Sequence, residues 1–416
     1  MVVEKGYKQT EVGVIPENWN VSSVGVNCAI FGRIGFRGYT VNDIVEQGQG
    51  AITLSPSNIK DGILDINKVT YISWFKYEES PEIKIYNGDI LLVKTGSTYG
   101  KTTFVKNLRE LATINPQIIV LKKIKCDPEF LGFIMKSPWI QNQIESTIVG
   151  GAIPTLSQEQ VSKFIFPLPP LPEQTAIANA LSDMDALIAQ TEKLIEKKKA
   201  IKQGVMQELL KPKEGWVTKK LGEIGEISGS GVDKKIVEGE LPVRLVNYLD
   251  VYKRDFIYSN ELSHWVTAPH LKSNFCKVKA GDLFFTPSSE TREDIALAAV
   301  AMEDIDDAVY SYHVVRARIN ADWDLRFKAY VFSTKHFLQQ AETLCEGSGK
   351  RYVLTLPKFR SLEVSFPSSK SEQKSISDTL WDIDSEIWNY QSKLQKLKLQ
   401  KQGMMQALLT GKIRLI

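Results

Sequence analysis

Residues 202–210 read KQGVMQELL and residues 401–409 read KQGMMQALL. The match extends outward without a gap at a constant offset of 199: PEQTAIANALSDMDALIAQ from Pro172 answers SEQKSISDTLWDIDSEIWN from Ser371. Glu173 pairs with Glu372, Gln174 with Gln373, Ile177 with Ile376, Leu181 with Leu380, Asp183 with Asp382, Asp185 with Asp384 and Ile188 with Ile387. A chain that writes a segment of about 38 residues twice is built from two related halves, or from two matching struts that hold two halves.

Both copies read as helix. Ile376, Leu380, Ile383, Ile387, Tyr390, Leu394 and Leu397 alternate spacings of four and three, the rhythm of a coiled-coil seam. Ile177, Leu181, Met184, Ile188, Ile195, Val205 and Leu209 keep that register in the first copy, where Leu187, Leu194 and Ile201 add a second apolar line. Pro172 suits a first helical turn and Ser371 an N-cap. Helices of this length are roughly 57 Å long, more than one small domain buries, so each predicts the other as its partner. After Glu386 no acidic residue follows, while Lys393, Lys396, Lys398, Lys401, Lys412 and Arg414 do. Such a run is ordinarily a solvated face and is also suited to an acidic partner.

The duplication reaches beyond the helices. WNVSSVG from Trp19 is matched by WVTKKLG from Trp216, NGDILLVKTGS (87–97) by AGDLFFTPSSE (280–290), and TLSQEQVSKFIFP (155–167) by TLPKFRSLEVSFP (355–367). SNIKDGILD (57–65) has a looser counterpart in VNYLDVYKRD (246–255). The expected organisation is globular unit 1–168, helix 169–212, globular unit 213–367 and helix 368–416. Charge does not announce a nucleic-acid binder: the net is +3, residues 1–168 carry 17 basic and 16 acidic side chains, and 216–367 carry 20 and 21. Any DNA contact must therefore come from basic groups gathered on one face. Scattered Cys28, Cys126, Cys276 and Cys345 form no disulfide or zinc pattern and predict free thiols in a reducing, cytoplasmic setting. No apolar run approaches the roughly eighteen residues of a membrane span, and MVVEKGYKQTEVG has no secretory core.

PLPPLPEQTAIANALSDMDALI with the helix that follows, the ending MMQALLTGKIRL and the opening YKQTEVGVIPENW together resemble the specificity subunits of type I restriction–modification systems, over essentially the full length. That resemblance implies an α/β (α+β) fold with two target recognition domains joined by two long helices in an antiparallel coiled coil, a pseudo-twofold tandem repeat. It implies a non-catalytic subunit without cofactor or metal that recognises an asymmetric bipartite target in double-stranded DNA. The implied partners are two methyltransferase subunits and the restriction/translocase subunits, with no membrane. The repeat itself fits this plan, since two related modules on a stiff scaffold suit half-sites roughly 34–36 Å apart.

Candidate contact residues lie in loops where the two units differ. TGSTYGKTT (95–103) falls one residue short of the phosphate-cradling G-x-x-x-x-G-K-[ST] loop. Lys94 just before it and its Ser97, Thr98, Tyr99, Lys101 and Thr102 suit a DNA backbone or base edges better. GRIGFRG (32–38) offers Arg33 and Arg37, whose guanidinium forks suit guanine or phosphate. In the second unit SSETRED (288–294) offers Ser288, Ser289, Thr291 and Arg292, and GSGKRYVLT (347–355) offers Lys350 and Arg351. VGGAIPT (149–155) holds the corresponding place in the first unit. SGSGVDKK (228–235) with Lys234 and Lys235, and His313 beside Tyr312, read as surface loop and structural histidine. Neither HExxH, GxSxG nor a complete Asn-Pro-Pro-Tyr/Phe is present, and INPQ (114–117) and EIK (82–84) are only fragments of catalytic patterns. Three other readings stay open: a specificity module in a methyltransferase-only system, a coiled-coil adaptor that binds proteins, and a nuclease.

Overall fold

A computed structural model describes residues 4–147 and 155–415. The chain divides into two units, Met1–Thr191 with Lys393–Ile416, and Glu192–Ser392. The division cuts through two 39-residue helices, a central one, Leu171–Leu209, and a C-terminal one, Lys370–Leu408. Each unit thus holds the beginning of one helix and the end of the other. In the first unit Ile177 and Leu181 share a core with Leu408 and Leu409; in the second Ile376 and Leu380 share one with Met206 and Leu210. The helices therefore pack antiparallel. Ser371 lies inside its helix, and Ser369 takes the capping role by accepting from the Glu372 amide at 3.4 Å. The added apolar line is only partly used, with Leu187 and Ile201 exposed.

Both globular parts follow one plan. In the first unit a four-stranded sheet runs in the order Thr102–Phe104, Ile90–Val93, Ile118–Lys122, Ala29–Gly32, every pair antiparallel. A second sheet, Ala112–Ile114, Gly50–Leu54, Thr70–Ser73, Ile44–Val45, includes one parallel pair. In the second unit Asp282–Phe285 sits between Val315–Ile319 and Ala298–Ala301, and Leu241–Val246 runs parallel to Ile305–Tyr310. The repeated GDIL/GDLF segment is thus an inner strand covered on both faces, which explains its unbroken apolar run. Alternation divides its side chains: Ile90 and Leu92 face the core shared with the helices, Leu91 and Val93 the core of the second sheet. Leu283 and Phe285 against Phe284 repeat the division. The Asp before each run caps the turn, Asp89 accepting from the Tyr86 amide and Lys122, Asp282 from the Lys279 amide and Arg318.

What joins each globular part to the helices is written in the repeat. A two-stranded ribbon, Asn20–Ser23 with Ile165–Leu168, leads into the central helix, and Trp216–Lys220 with Glu363–Pro367 leads into the C-terminal one. At the head of each ribbon a tryptophan donates its indole N–H to the repeated glutamate: Trp19 to Glu173 at 2.9 Å, Trp216 to Glu372 at 3.0 Å. The repeated glutamines do the same work twice. Gln174 accepts from the Asp127 amide and donates to the Pro169 carbonyl, and Gln373 does so with Asp324 and Pro367. The repeated aspartates and lysines cross-pair the two helices, Lys401 with Asp185 at 2.6 Å and Lys202 with Asp384 at 2.7 Å. All four cysteines are buried and unpaired, and among the described residues no helix is long and apolar enough to cross a membrane.

Candidate DNA interface

The two glycine- and serine-containing loops occupy the same turn of the same hairpin. In the first unit residues 94–101 connect Ile90–Val93 to Thr102–Phe104, and in the second 286–297 connect Asp282–Phe285 to Ala298–Ala301. Each turn is pinned near the TL motif: the amide of Leu156, within the first motif, donates to the Lys94 carbonyl, and that of Leu354, just before the second, to the Pro287 carbonyl, both at 2.8 Å. The TGSTYGKTT segment leads into a strand, not a helix, and its amides close local turns. Tyr99 donates to Gly96, Gly100 to Val93 and Lys101 to Thr98. With those N–H groups committed and no helix N-terminus behind them, the loop lacks the means to cradle a phosphate in the Walker manner. What it offers instead are side chains: Ser97 and Lys101 exposed, Lys94 and Thr98 half-buried. Tyr99 is half-buried with its ring against the core.

Two of the sequence-derived candidates point inward. Arg33 is 4% exposed; its Nε donates to the Ile114 carbonyl at 3.0 Å, its Nη2 to Thr113 Oγ1 and its Nη1 to the Arg37 carbonyl. It ties the 33–37 turn to the strand Ala112–Ile114, because a buried guanidinium has to spend its donors on internal acceptors. Thr102 is buried and donates to the Gly100 carbonyl. Arg37 is half-buried, donating to the Glu79 carbonyl and lying 3.8 Å from Glu82. Glu82 of the EIK triplet thus faces an arginine, and Lys84 pairs with Glu78.

In the second unit the candidates converge. Ser288–Ser289 pairs as a short strand with Arg351–Val353, itself the partner of Glu346–Ser348. Arg351 donates to Ser288 Oγ at 3.3 Å; Arg292 lies over the Tyr352 ring at 4.8 Å and donates to the Glu342 carbonyl. An open cleft of about 470 Å³ is lined by Ser288, Ser289, Thr291, Lys350, Arg351 and two tyrosines, Tyr248 and Tyr252, together with Leu249 and the carboxylates of Glu290 and Asp294. The tyrosines stack at 5.9 Å and 16° from one helical face, four residues apart. Sequence reasoning misses them as contacts, although it marks the VNYLDVYKRD segment that carries them; their i, i+4 spacing is the available signal. Tyr312 packs on His313 at 3.9 Å. Burial, helped by Lys234 and Arg351, holds the His313 imidazole below its usual pKa. Lys235 pairs with Asp233 at 2.9 Å. Residues 149–154 of the VGGAIPT loop lie outside the described residues.

The fold and these loops define a class: a tandem pair of mixed α/β units on paired antiparallel helices, with variable polar, basic and aromatic loops on a repeated hairpin. Comparison with known proteins agrees. The family model for the type I restriction modification DNA specificity domain matches residues 27–202 and again 213–399, and the chain belongs to that family. It is 26% identical to a putative type I restriction enzyme MjaX specificity subunit of Methanocaldococcus jannaschii, across 99% of this chain and 97% of the relative. The MjaVIII specificity subunit of that organism is 25% identical, across 99% and 96%. Among solved structures, the S subunit of a type I restriction–modification system from M. genitalium has a TM-score of 0.53 at 14% identity, covering 94% of this chain and 96% of that one. A chain from a study of complex assembly and conformational transition in the type I system has a TM-score of 0.54 at 15% identity, covering 96% and 99%. These structures establish the likeness of fold.

Proposed function

We propose that this type I specificity subunit reads an asymmetric, bipartite target in double-stranded DNA, one half through each unit. In this reading it carries no catalytic step itself, works in the cytoplasm, and scaffolds two methyltransferase subunits and the restriction subunits. One observation carries the reading. The residues that anchor each unit to the helices are identical in the two copies (Trp19/Trp216, Glu173/Glu372, Gln174/Gln373), whereas the hairpin turns 94–101 and 286–297 share almost nothing. Selection on a common frame with divergent tips is what two different half-sites require. In the first unit Lys94, Ser97, Thr98, Tyr99 and Lys101, with Arg37 at the margin, are the proposed contacts. In the second they are Ser288, Ser289, Thr291, Arg292, Lys350 and Arg351, with Tyr248 and Tyr252 offering an aromatic face. Lysines and arginines position on phosphate, and hydroxyls and guanidiniums also reach base edges.

The test is the adenine-methylation pattern of a clean host that expresses this chain with its native methyltransferase, against the methyltransferase alone. A bipartite motif that appears only with this chain is expected. Replacing residues 95–101 should then alter one half of it and leave the other intact. Both halves changing together would sink the one-unit, one-half assignment, and no motif from an active methyltransferase would favour a protein-binding adaptor.

A further inference from the structure

In the second unit aromatic rings pack between the C-terminal helix and the globular part, with Trp388 still 40% exposed. Trp381 and Trp388 meet edge-on at 5.1 Å, and Phe256 packs against both, at 5.1 and 6.0 Å. Under them Tyr330 donates to Asp384 at 2.7 Å, and Lys202 bridges Asp384 and Asp255 while lying 5.3 Å over the Tyr330 ring.

The repeat supplies an internal control for the first unit. At the offset of 199, Lys401 corresponds to Lys202, Asp185 to Asp384, Ser182 to Trp381 and Ala189 to Trp388. Phe133 takes the place of Tyr330, with Lys401 lying 5.7 Å over its ring. The lysine–aspartate bridge is kept and the aromatic filling is gone. What stands there is a cavity of about 560 Å³, walled by Ile63, Leu64, Phe104, Phe133, Ala186 and Ala189. That volume lies within the usual range of small-molecule sites.

Three amines line it. Lys106 is paired with Glu129 and Lys401 with Asp185. Lys136 differs: its ammonium donates to the Gly62 carbonyl at 2.8 Å, and among the described residues no carboxylate lies at ion-pair distance. Burial, with Lys401 nearby, pushes its pKa down to about 8. Asp185 and Glu129 act on it from beyond ion-pair distance and do not offset its desolvation, and an arriving anion relieves that cost.

We propose that this cavity binds a small planar aromatic carboxylate, its ring in the space that Trp381 and Trp388 fill in the second unit and its carboxylate on Lys136. A neutral ring would leave the ammonium uncompensated. A polyanion such as a nucleotide phosphate is disfavoured because Asp61, Glu129 and Asp185 also line the walls. Occupancy of the cavity is independent of the DNA-reading role.

Calorimetric titration of the full-length protein with indole-3-acetate tests the proposal, with indole and acetate as controls. Wild type should bind one equivalent with a Kd below ~1 mM and at least about tenfold more tightly than either control. Binding at pH 8.5 should take up protons, seen as a dependence on buffer ionisation enthalpy, and Lys136→Met should lose both the uptake and about tenfold in affinity. Ala189→Trp should fill the cavity and abolish binding without lowering the unfolding temperature; Ala189→Leu, a smaller plug, covers the case in which the larger one does not fold. No saturable binding by wild type overturns the proposal, as does undiminished binding by a folded plugged variant. If wild type ignores the acid while Ala189→Trp blocks assembly with the methyltransferase, the cavity is an anchor for a protein side chain and the proposal is wrong.

Discussion

Glu173 and Glu372 are the same residue of the repeat, yet their replacement should not cost the same. Glu173 is 2% exposed and accepts from the fully buried Trp19 indole at 2.9 Å; it also holds Arg414, whose Nε and Nη2 lie 2.5 and 2.8 Å from the two carboxylate oxygens. Glu372 is half-buried and, among the described residues, its carboxylate holds only the half-buried Trp216 indole; the residue that corresponds to Arg414 is Gly215. In Glu173→Ala the orphaned indole N–H costs about 1–3 kcal/mol. Loss of the Arg414 fork adds about 1–2 kcal/mol, because the arginine side chain is 31% exposed and the pair lies between surface and buried limits. The two share one carboxylate and do not simply add, so a total of about 2–4 kcal/mol is expected. In Glu372→Ala water reaches the indole and the cost is about 1 kcal/mol or less. Hydrogen exchange reads the two sites separately. Protection within 171–191 should fall by roughly 30- to 1000-fold in the first variant, and within 370–392 by no more than about fivefold in the second. Arg414→Ala should cost nothing further once Glu173 is gone. Equal losses at both sites, or an Arg414→Ala cost unchanged by prior loss of Glu173, would refute the reasoning.

Three other perturbations separate frame from tip. Lys350→Ala with Arg351→Ala should lower the slope of log affinity against log salt by about one for each phosphate no longer neutralised, and weaken only the second unit's half-site, measured on duplex DNA with the methyltransferase present. An unchanged slope would remove both residues from the interface. Arg33→Met should cost roughly 2–4 kcal/mol, since it strands the Ile114 carbonyl and Thr113, while surviving protein keeps its methylation motif; a changed motif with intact stability would return Arg33 to the DNA. Lys136, pushed from 10.5 to about 8, makes the folded state bind its proton more weakly than the unfolded chain. Its penalty is full below pH 8 and fades as pH rises to about 10.5, so first-unit stability should climb by up to ~3 kcal/mol across that window. Lys136→Met should flatten the climb, and a climb that persists in that variant would assign it to other groups.

The frame is legible in the sequence because one set of bonds had to be written twice. Glutamate, glutamine, aspartate and lysine recur at one offset since each makes the same bond in each unit, and the apolar run after Gly-Asp recurs because each copy is a strand covered on both faces. The tips are legible by position but not by direction. Arg33 and Lys101 look alike in sequence, each a basic residue in a glycine-spaced loop. Whether such a side chain reaches solvent depends on a distant acceptor, here the Ile114 carbonyl 81 residues away. The seam misleads at its ends for a related reason. Helical periodicity shows that Ile177, Leu181, Ile376 and Leu380 are buried, but not by what, and they serve the cores of the globular parts. The cavity beside Lys136 is hidden differently: nothing in Ser182 or Ala189 alone signals a missing ring. It becomes visible only against Trp381 and Trp388, so in a tandem chain the informative residues include those at which one copy has discarded what the other retains.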